Sequence, residues 1–201
     1  MRRIALLGGT FDPIHVGHLH VARAALERFA FDAVRFLPAP AAPHKTSGAM
    51  LAIDRRVDLL RRACADDPRL GVETYEVERG GTSFTIDTLE ALHARDPDTR
   101  FFFLIGGDSL RDLPGWRRSL ELVERFTFVT VPRDPAVDRA ALLAPAEAKF
   151  PHAAVARLRF HLIAAPPLPM SSTEIRERLR TGDSIAGAVP ETVLRALPRQ
   201  S

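Results

Sequence analysis

Three histidines, His15, His18 and His20, follow closely on a short apolar run that ends in Gly8 and Gly9, within "IALLGGTFDPIHVGHLH" over residues 4–20. The two glycines let the backbone approach a ligand closely, and Pro13 stiffens the exit into the next segment. The further spaced glycines of a dinucleotide fingerprint are missing, and so is the Lys-Ser/Thr pair of a Walker loop. His15 and His18 are three apart, so on a helix that begins near His15 they share a face close to its N-terminus. That arrangement suits an anion. Exposed N–H groups and the positive end of the helix dipole favour phosphate, imidazole donors add hydrogen bonds, and Gly17 leaves room beside the backbone. A structural role, favoured for His20 taken alone, and a metal site are the competing readings. The three histidines lack a further patterned ligand nearby, and their three-and-five spacing is not a usual helical chelate, so no protein side chain is assigned to a metal.

The elements that must position these residues alternate between strand and helix. "RRIALLGG" reads as a buried strand and "HVGHLHVARAALERF" as the helix after it, with Val21, Ala25 and Phe29 at helical spacing. "FDAVRFLPAP" is a second strand ended by prolines, followed by the polar loop "AAPHKTSGAM". Ile53, Val57, Leu60 and Cys64 form one apolar stripe, "RLGVETYEVE" suggests a third strand, and "TSFTIDTLEALHARDP" a capped helix. "TRFFFLIGG" is an apolar run of strand length; "WRRSLELVERF" reads as a helix and "FTFVTVP" as a strand. Residues 133–155 show little periodicity. "ARLRFHLIAAPPLP" suggests a last strand, "SSTEIRERLRTG" a short helix, and "VPETVLRAL" a terminal helix with Pro190 in its first turn.

This alternation predicts an α/β fold, a Rossmann-like doubly wound, mostly parallel sheet with helices on both faces, in a single domain over 1–201. Ligands of such sheets sit at the carboxyl ends of the strands near a topological switch point. Gly8-Gly9-Thr10, His44-Lys45 and Gly106-Gly107-Asp108 all fall at those ends.

Composition narrows the functional classes. The 201 residues are 46% apolar and 26% charged, the profile of an ordinary globular domain without linker or repeat. Cys64 is the single cysteine, which excludes an internal disulfide and fits a reducing compartment; its apolar-periodic setting makes it a buried, inert thiol. The run after Met1-Arg2-Arg3 is too short for a secretory signal, and no stretch reaches membrane-span length, so a cytoplasmic protein is expected. The formal charge of +3 comes mostly from scattered arginines, which argues against nucleic-acid binding and fits a small polyphosphate.

"GGTFDPIHVGHL" closely resembles the signature of the HxGH nucleotidyltransferase superfamily, and its full form is similar to that of the nicotinate-nucleotide adenylyltransferases. The resemblance implies that His15 and His18 bind ATP phosphates and stabilise the α-phosphorus under attack, with Gly8, Gly9, Thr10 and Phe11 at the same nucleotide. "PMSSTEIRERL" resembles the second superfamily motif, with Ser172 and Thr173 as hydroxyl donors and Arg176 as a planar cation for the β- and γ-phosphates. Ser171 to Glu174 is also an ordinary S-x-x-E capping box, and both roles are compatible. "PAPAAPHK" resembles the loop that brings His44 and Lys45 to the mononucleotide phosphate. "GGTSFTIDTL" looks like the segment that meets the nicotinate carboxylate through Thr85, with Phe84 where Tyr is more usual.

"FFFLIGGDSLRDLPGW" resembles the stretch in which Gly106 and Asp108 hold a ribose; Gly107 replaces the customary Ala. Trp116 reads either as a structural anchor or as a platform for the pyridine ring, and its place after Pro114-Gly115 favours the platform. The region 133–155 and the C-terminus depart from the family pattern, leaving homo-oligomerisation open.

The implied reaction is in-line attack by the 5′-phosphate of nicotinate mononucleotide on the α-phosphorus of ATP, with pyrophosphate leaving and Mg²⁺ bound through the ATP phosphates. His15, His18, Lys45 and Arg176 are the expected catalytic set. Alternatives are an adenylyltransferase of the same superfamily acting on nicotinamide mononucleotide or phosphopantetheine, and a non-catalytic nucleotide-binding regulator.

Overall fold

The computed structural model describes residues 1–40, 50–132, 136–162 and 170–197. Five strands, β1 (Arg2–Gly9), β2 (Ala33–Pro38), β3 (Leu70–Val72), β4 (Thr99–Ile105) and β5 (Thr127–Thr130), form one sheet in the order β3-β2-β1-β4-β5. The pairs β1–β4, β2–β3 and β4–β5 are parallel. The helices in chain order are α1 (Val16–Phe29), α2 (Ile53–Cys64), α3 (Tyr75–Arg79), α4 (Thr85–Arg95), α5 (Gly107–Asp112), α6 (Ser119–Arg125), α7 (Arg139–Lys149), α8 (His152–Phe160), α9 (Ser172–Thr181) and α10 (Glu191–Leu194). Strand order runs outward in both directions from β1, as in a doubly wound α/β sheet, and it reverses between β1 and β4. Among the described residues no helix is long and apolar enough to cross a membrane.

By compactness the chain divides into two units, Met1–Leu7 with Ser83–Pro167, and Gly8–Thr82 with Leu168–Ser201. In the first, β1 and β4 run in register from Arg2 opposite Thr99 to Leu7 opposite Leu104, so the two strands end level. Phe101 to Ile105 are all buried, because a central parallel strand is covered on both faces and takes a continuous apolar run.

Residues 133–155, expected to be irregular, are largely helical from Arg139 onward. α7 is capped by Asp138, whose carboxylate accepts the Ala140 N–H at 2.9 Å, and it buries Leu142, Leu143 and Ala146. Its many alanines blur the apolar period, and Pro145 within the helix reads as a breaker in the sequence. The N-terminal part of "ARLRFHLIAAPPLP", a segment expected to contain a strand, is helical, because Arg157 to Phe160 belong to α8. Their arginine–apolar alternation mimics a two-residue period, while Ala154, Val155 and Leu158 are buried at helical spacing. After α8 the chain meets the end of β5, where His161 O accepts the Thr130 N–H at 3.2 Å and Leu162 forms an isolated parallel bridge with Thr130; 163–169 lie outside the described residues.

In the second unit, β3 is three residues long and the rest of the expected third strand turns into α3. The buried stripe of α1 is Leu19, Ala22, Ala25 and Leu26, with Val21 and Phe29 half-buried at its margin. α2 follows its expected stripe, and burial pushes the Cys64 thiol up to about 11, in keeping with an inert side chain.

Candidate active site

The loop after β1 owes its shape to an aromatic ring packed beneath it. Phe11 adopts a left-handed backbone with φ of 48°, and its ring meets Phe36 and His18 edge-on at 5.4 and 5.0 Å. A side chain at Gly9 would approach that ring to 3.0 Å, so glycine there is a packing requirement as well as an opening toward a ligand. Phe11 is buried and can offer a nucleotide only its backbone. Next to it the buried Asp12 carboxylate accepts the N–H groups of Met50 and Leu51 at 2.7 and 2.9 Å. The Asp12–Pro13 peptide is cis.

His15 and His18 together cap α1. His15 Nδ1 accepts the Gly17 N–H at 3.1 Å, the His15 N–H reaches His18 Nδ1 at 3.4 Å, and the rings lie 3.7 Å apart. This is a capping box made from imidazoles in place of the usual hydroxyl and carboxylate. A ring nitrogen that accepts carries no hydrogen, so in each neutral imidazole the N–H donor is Nε2, away from the cap. One spacing therefore starts the helix and equips its positive end with two ring donors. α1 has no acidic residue in its first turn to oppose an anion. His20 does not join the pair: two positions beyond His18 it lies across the helix, and its Nε2 is buried with no hydrogen-bond partner among the described residues.

α9 is locked to the same loop. Ser171 Oγ accepts the Glu174 N–H at 3.1 Å, the cap expected from the sequence. Ser172 Oγ donates to Pro13 O at 3.1 Å, and Arg176 donates from Nη1 to Asp12 O at 2.9 Å and from Nη2 to Thr173 Oγ1 at 3.1 Å. The Ser172 hydroxyl proton is thus committed to the loop. What Ser172 presents to an anion is its backbone N–H, which has no intrahelical acceptor in a first turn, whereas Thr173, whose hydroxyl accepts in the bond to Arg176, offers its O–H proton as well. Arg176 is 28% exposed along its side chain and retains guanidinium N–H groups beyond its two bonds.

The remaining expected residues in the described chain belong to the first unit. Gly106 caps α5 at the end of β4, and Asp108, in the first turn, is largely exposed and ion-paired with Arg111. Thr85 opens α4, whose N-cap Phe84 makes no side-chain cap, contrary to the capped start expected from the sequence. Arg117 stacks over the Phe84 ring at 4.6 Å and stands 3.9 Å from Asp87. Trp116 is half-buried, with its ring edge-on to Phe103 and Phe128 at 6.3 and 6.4 Å, so it is anchored by the core. It also borders a cavity of about 490 Å³ shared with Arg118, Leu120 and Lys149, which keeps a platform role open to it. His44 and Lys45 lie outside the described residues.

Sequence reasoning missed Arg56. It falls three after Ile53 and four before Leu60, on the buried face of α2, and a charge on an apolar stripe was the available signal. Arg117, adjacent to Trp116, was missed as well; nothing in its spacing separates it from a solvated arginine.

The cytidylyltransferase-like family matches residues 6–178. A probable nicotinate-nucleotide adenylyltransferase of Synechococcus sp. (strain JA-3-3Ab) is 40% identical over 192 residues, covering 96% of this chain and 90% of its own. One from Exiguobacterium sibiricum is 41% identical over 191 residues, covering 95% and 93%. Among solved structures, Plasmodium falciparum nicotinic acid mononucleotide adenylyltransferase complexed with NaAD aligns with a TM-score of 0.77 at 19% identity, over 97% of this chain and 94% of that one. At that identity the likeness bears on the fold alone.

Proposed function

The chain belongs to the cytidylyltransferase-like family, and from that premise we propose that it transfers the adenylyl group of ATP to nicotinate mononucleotide, forming nicotinate adenine dinucleotide and pyrophosphate. The observation that carries this reading is the imidazole capping box at the α1 N-terminus, which uses Nδ1 of both His15 and His18 as acceptors and so makes Nε2 the N–H donor of each neutral ring, beside helix-end N–H groups that favour a polyphosphate. Near-full-length identity of 40% to a probable nicotinate-nucleotide adenylyltransferase supports the choice of acceptor. All 201 residues are read as one nucleotidyltransferase domain, working in the cytoplasm and without nucleic acid.

The attacking phosphate of the mononucleotide is already an anion. The protein therefore needs no nucleophile or strong base of its own; positioning and charge neutralisation suffice. Backbone groups from Gly8 to Phe11, the ring donors of His15 and His18, the first-turn N–H groups of α9 and Arg176 would hold the ATP phosphates and offset charge that grows as the leaving pyrophosphate separates. Gly106 and Asp108 are assigned to a ribose, His44 and Lys45 to the mononucleotide phosphate, and Thr85 with Trp116 to the nicotinate ring. Mg²⁺ is assigned to the ATP phosphates themselves. The donor set at the loop, imidazoles, amides and a guanidinium, suits phosphate oxygens and not a hard cation, and among the described residues no group of three His, Cys, Asp or Glu is placed to hold a metal. Bound with ATP, the ion would neutralise phosphate charge.

Pyrophosphate release with ATP and Mg²⁺ tests the reading, with nicotinate mononucleotide, nicotinamide mononucleotide and phosphopantetheine as parallel acceptors. The expected result is the highest kcat/KM with nicotinate mononucleotide, and a value about 10-fold lower or less with the amide, because a pocket built for a carboxylate leaves its donors poorly matched to an uncharged group. Preference for either other acceptor would overturn the substrate assignment; no release with any would favour a nucleotide-binding regulator.

A further inference from the structure

Arg56 is 1% exposed, and its guanidinium donates to four backbone carbonyls drawn from three separate segments. Nη1 reaches Thr10 O at 2.6 Å and Ala39 O at 2.9 Å, Nη2 reaches Pro40 O at 3.0 Å, and Nε reaches Leu51 O at 3.2 Å. A fully buried cation is retained in a fold only when its surroundings replace the lost hydration. Here the carbonyl dipoles do so, helped by the buried Asp12 carboxylate: burial lowers the Arg56 pKa and the charge on Asp12 opposes that shift. A methionine or leucine would fill α2 at less electrostatic cost, so the guanidinium calls for an explanation beyond packing.

Its contact with Thr10 provides one. The peptide joining Thr10 to Phe11 is planar, and in a trans peptide the carbonyl and the next N–H point in opposite directions. Drawing Thr10 O inward to Arg56 therefore turns the Phe11 N–H away from Arg56. The bond also helps hold Phe11 in a left-handed backbone that non-glycine residues rarely adopt. Asp12 fixes the next residue of the loop through Met50 and Leu51, and Arg56 holds Leu51 from its other side.

We propose that Arg56 is a positioning residue for adenylyl transfer, which by fixing the Thr10–Phe11 peptide aims the Phe11 N–H at the ATP polyphosphate. This rests on the proposed function only in requiring that ATP bind at the loop. Because four carbonyls lose their donor at once when Arg56 is removed, a lysine substitution keeps the charge but cannot span the four acceptors with a planar fork.

Two measurements test it. In ¹⁵N-labelled wild-type protein, titration with ATP is expected to shift the Phe11 amide resonance, and a Phe11 amide that does not move overturns the proposal whatever the variants do. In Arg56→Lys the KM for ATP is expected to rise at least ~10-fold in protein whose circular dichroism matches the wild type. A purely structural role would lower the melting temperature or the active fraction and leave that KM within about twofold, which would also overturn the proposal. If Arg56→Lys does not fold, the Phe11 amide decides alone. Failure of the nicotinate assignment is distinguishable, since ATP would still shift Phe11 while no pyrophosphate is released with nicotinate mononucleotide.

Discussion

His15 carries two duties that substitution can separate. As N-cap it accepts the Gly17 N–H through Nδ1, and as a proposed phosphate ligand it donates through Nε2. Asparagine is a good N-cap but has no donor where Nε2 stands. His15→Asn is expected to keep the thermal stability of the wild type while losing adenylyl-transfer rate. His15→Ala is expected to lose the rate and, in addition, about 0.5–2 kcal/mol of stability from the missing cap. Melting curves beside steady-state kinetics check this, and full activity in His15→Asn would reduce His15 to a cap. His18→Ala, which removes a donor to transition-state charge, should lower kcat by about 100- to 1,000-fold. Phe11 and Ser172 show the opposite economy, because the ring of one and the hydroxyl proton of the other are absorbed by the loop itself.

At the scale of elements, two departures from the family pattern meet in one place. Gly107 stands where the family resemblance leads one to expect alanine, and a Cβ there would lie 3.2 Å from Leu142 Cδ2, on a helix within 133–155, another stretch that departs from that pattern. The missing methyl and the leucine over it therefore fit as a pair. Gly107→Ala gains helix propensity of about 1 kcal/mol but must displace a buried leucine terminus, an overpacking cost of about 1–3 kcal/mol. The expected result is a neutral to destabilising effect in the wild type that turns stabilising in a Leu142→Val background, with a coupling of about 0.5–3 kcal/mol in the double-mutant cycle. Additive effects would show that α7 moves freely over α5.

For the molecule as a whole, an exposed ion network is expected to add a modest contribution to stability that acid removes. Arg118 and Arg125 bridge Glu90 of α4 to Glu121 of α6, and hydrogen bonds from Arg118 and then Arg125 hold both carboxyls below the ordinary glutamate value of 4.5. A carboxyl depressed in the folded state stabilises the fold above the unfolded value and loses that contribution as pH falls through the folded one. Since the network is exposed, salt also weakens it. The melting-temperature difference between wild type and Glu90→Gln is expected to be fully developed at neutral pH, to close as the pH falls below about 4.5, and to shrink in 1 M salt. A difference that persists unchanged at low pH would exclude ionic bridging as its source.

Several features follow from the sequence by itself because they rest on local order along the chain. The glycine pair that ends β1, the helix capped by His15, the Ser171 cap and the aromatic run of β4 are short-range patterns, and all are present as expected. Alanine-rich α7 and the arginine–apolar alternation of α8 defeated the same reasoning, since neither gives a period that distinguishes helix from coil or strand without its packing partners. Tertiary structure alone decided which polar atoms the fold keeps for itself. Arg56 shows in the sequence only as a charge on an apolar stripe, and its purpose emerges when Thr10, Ala39, Pro40 and Leu51, up to 46 residues away, turn their carbonyls toward it. A buried charge chooses its partners by closeness in space, and that closeness exists only after the strands and helices have packed.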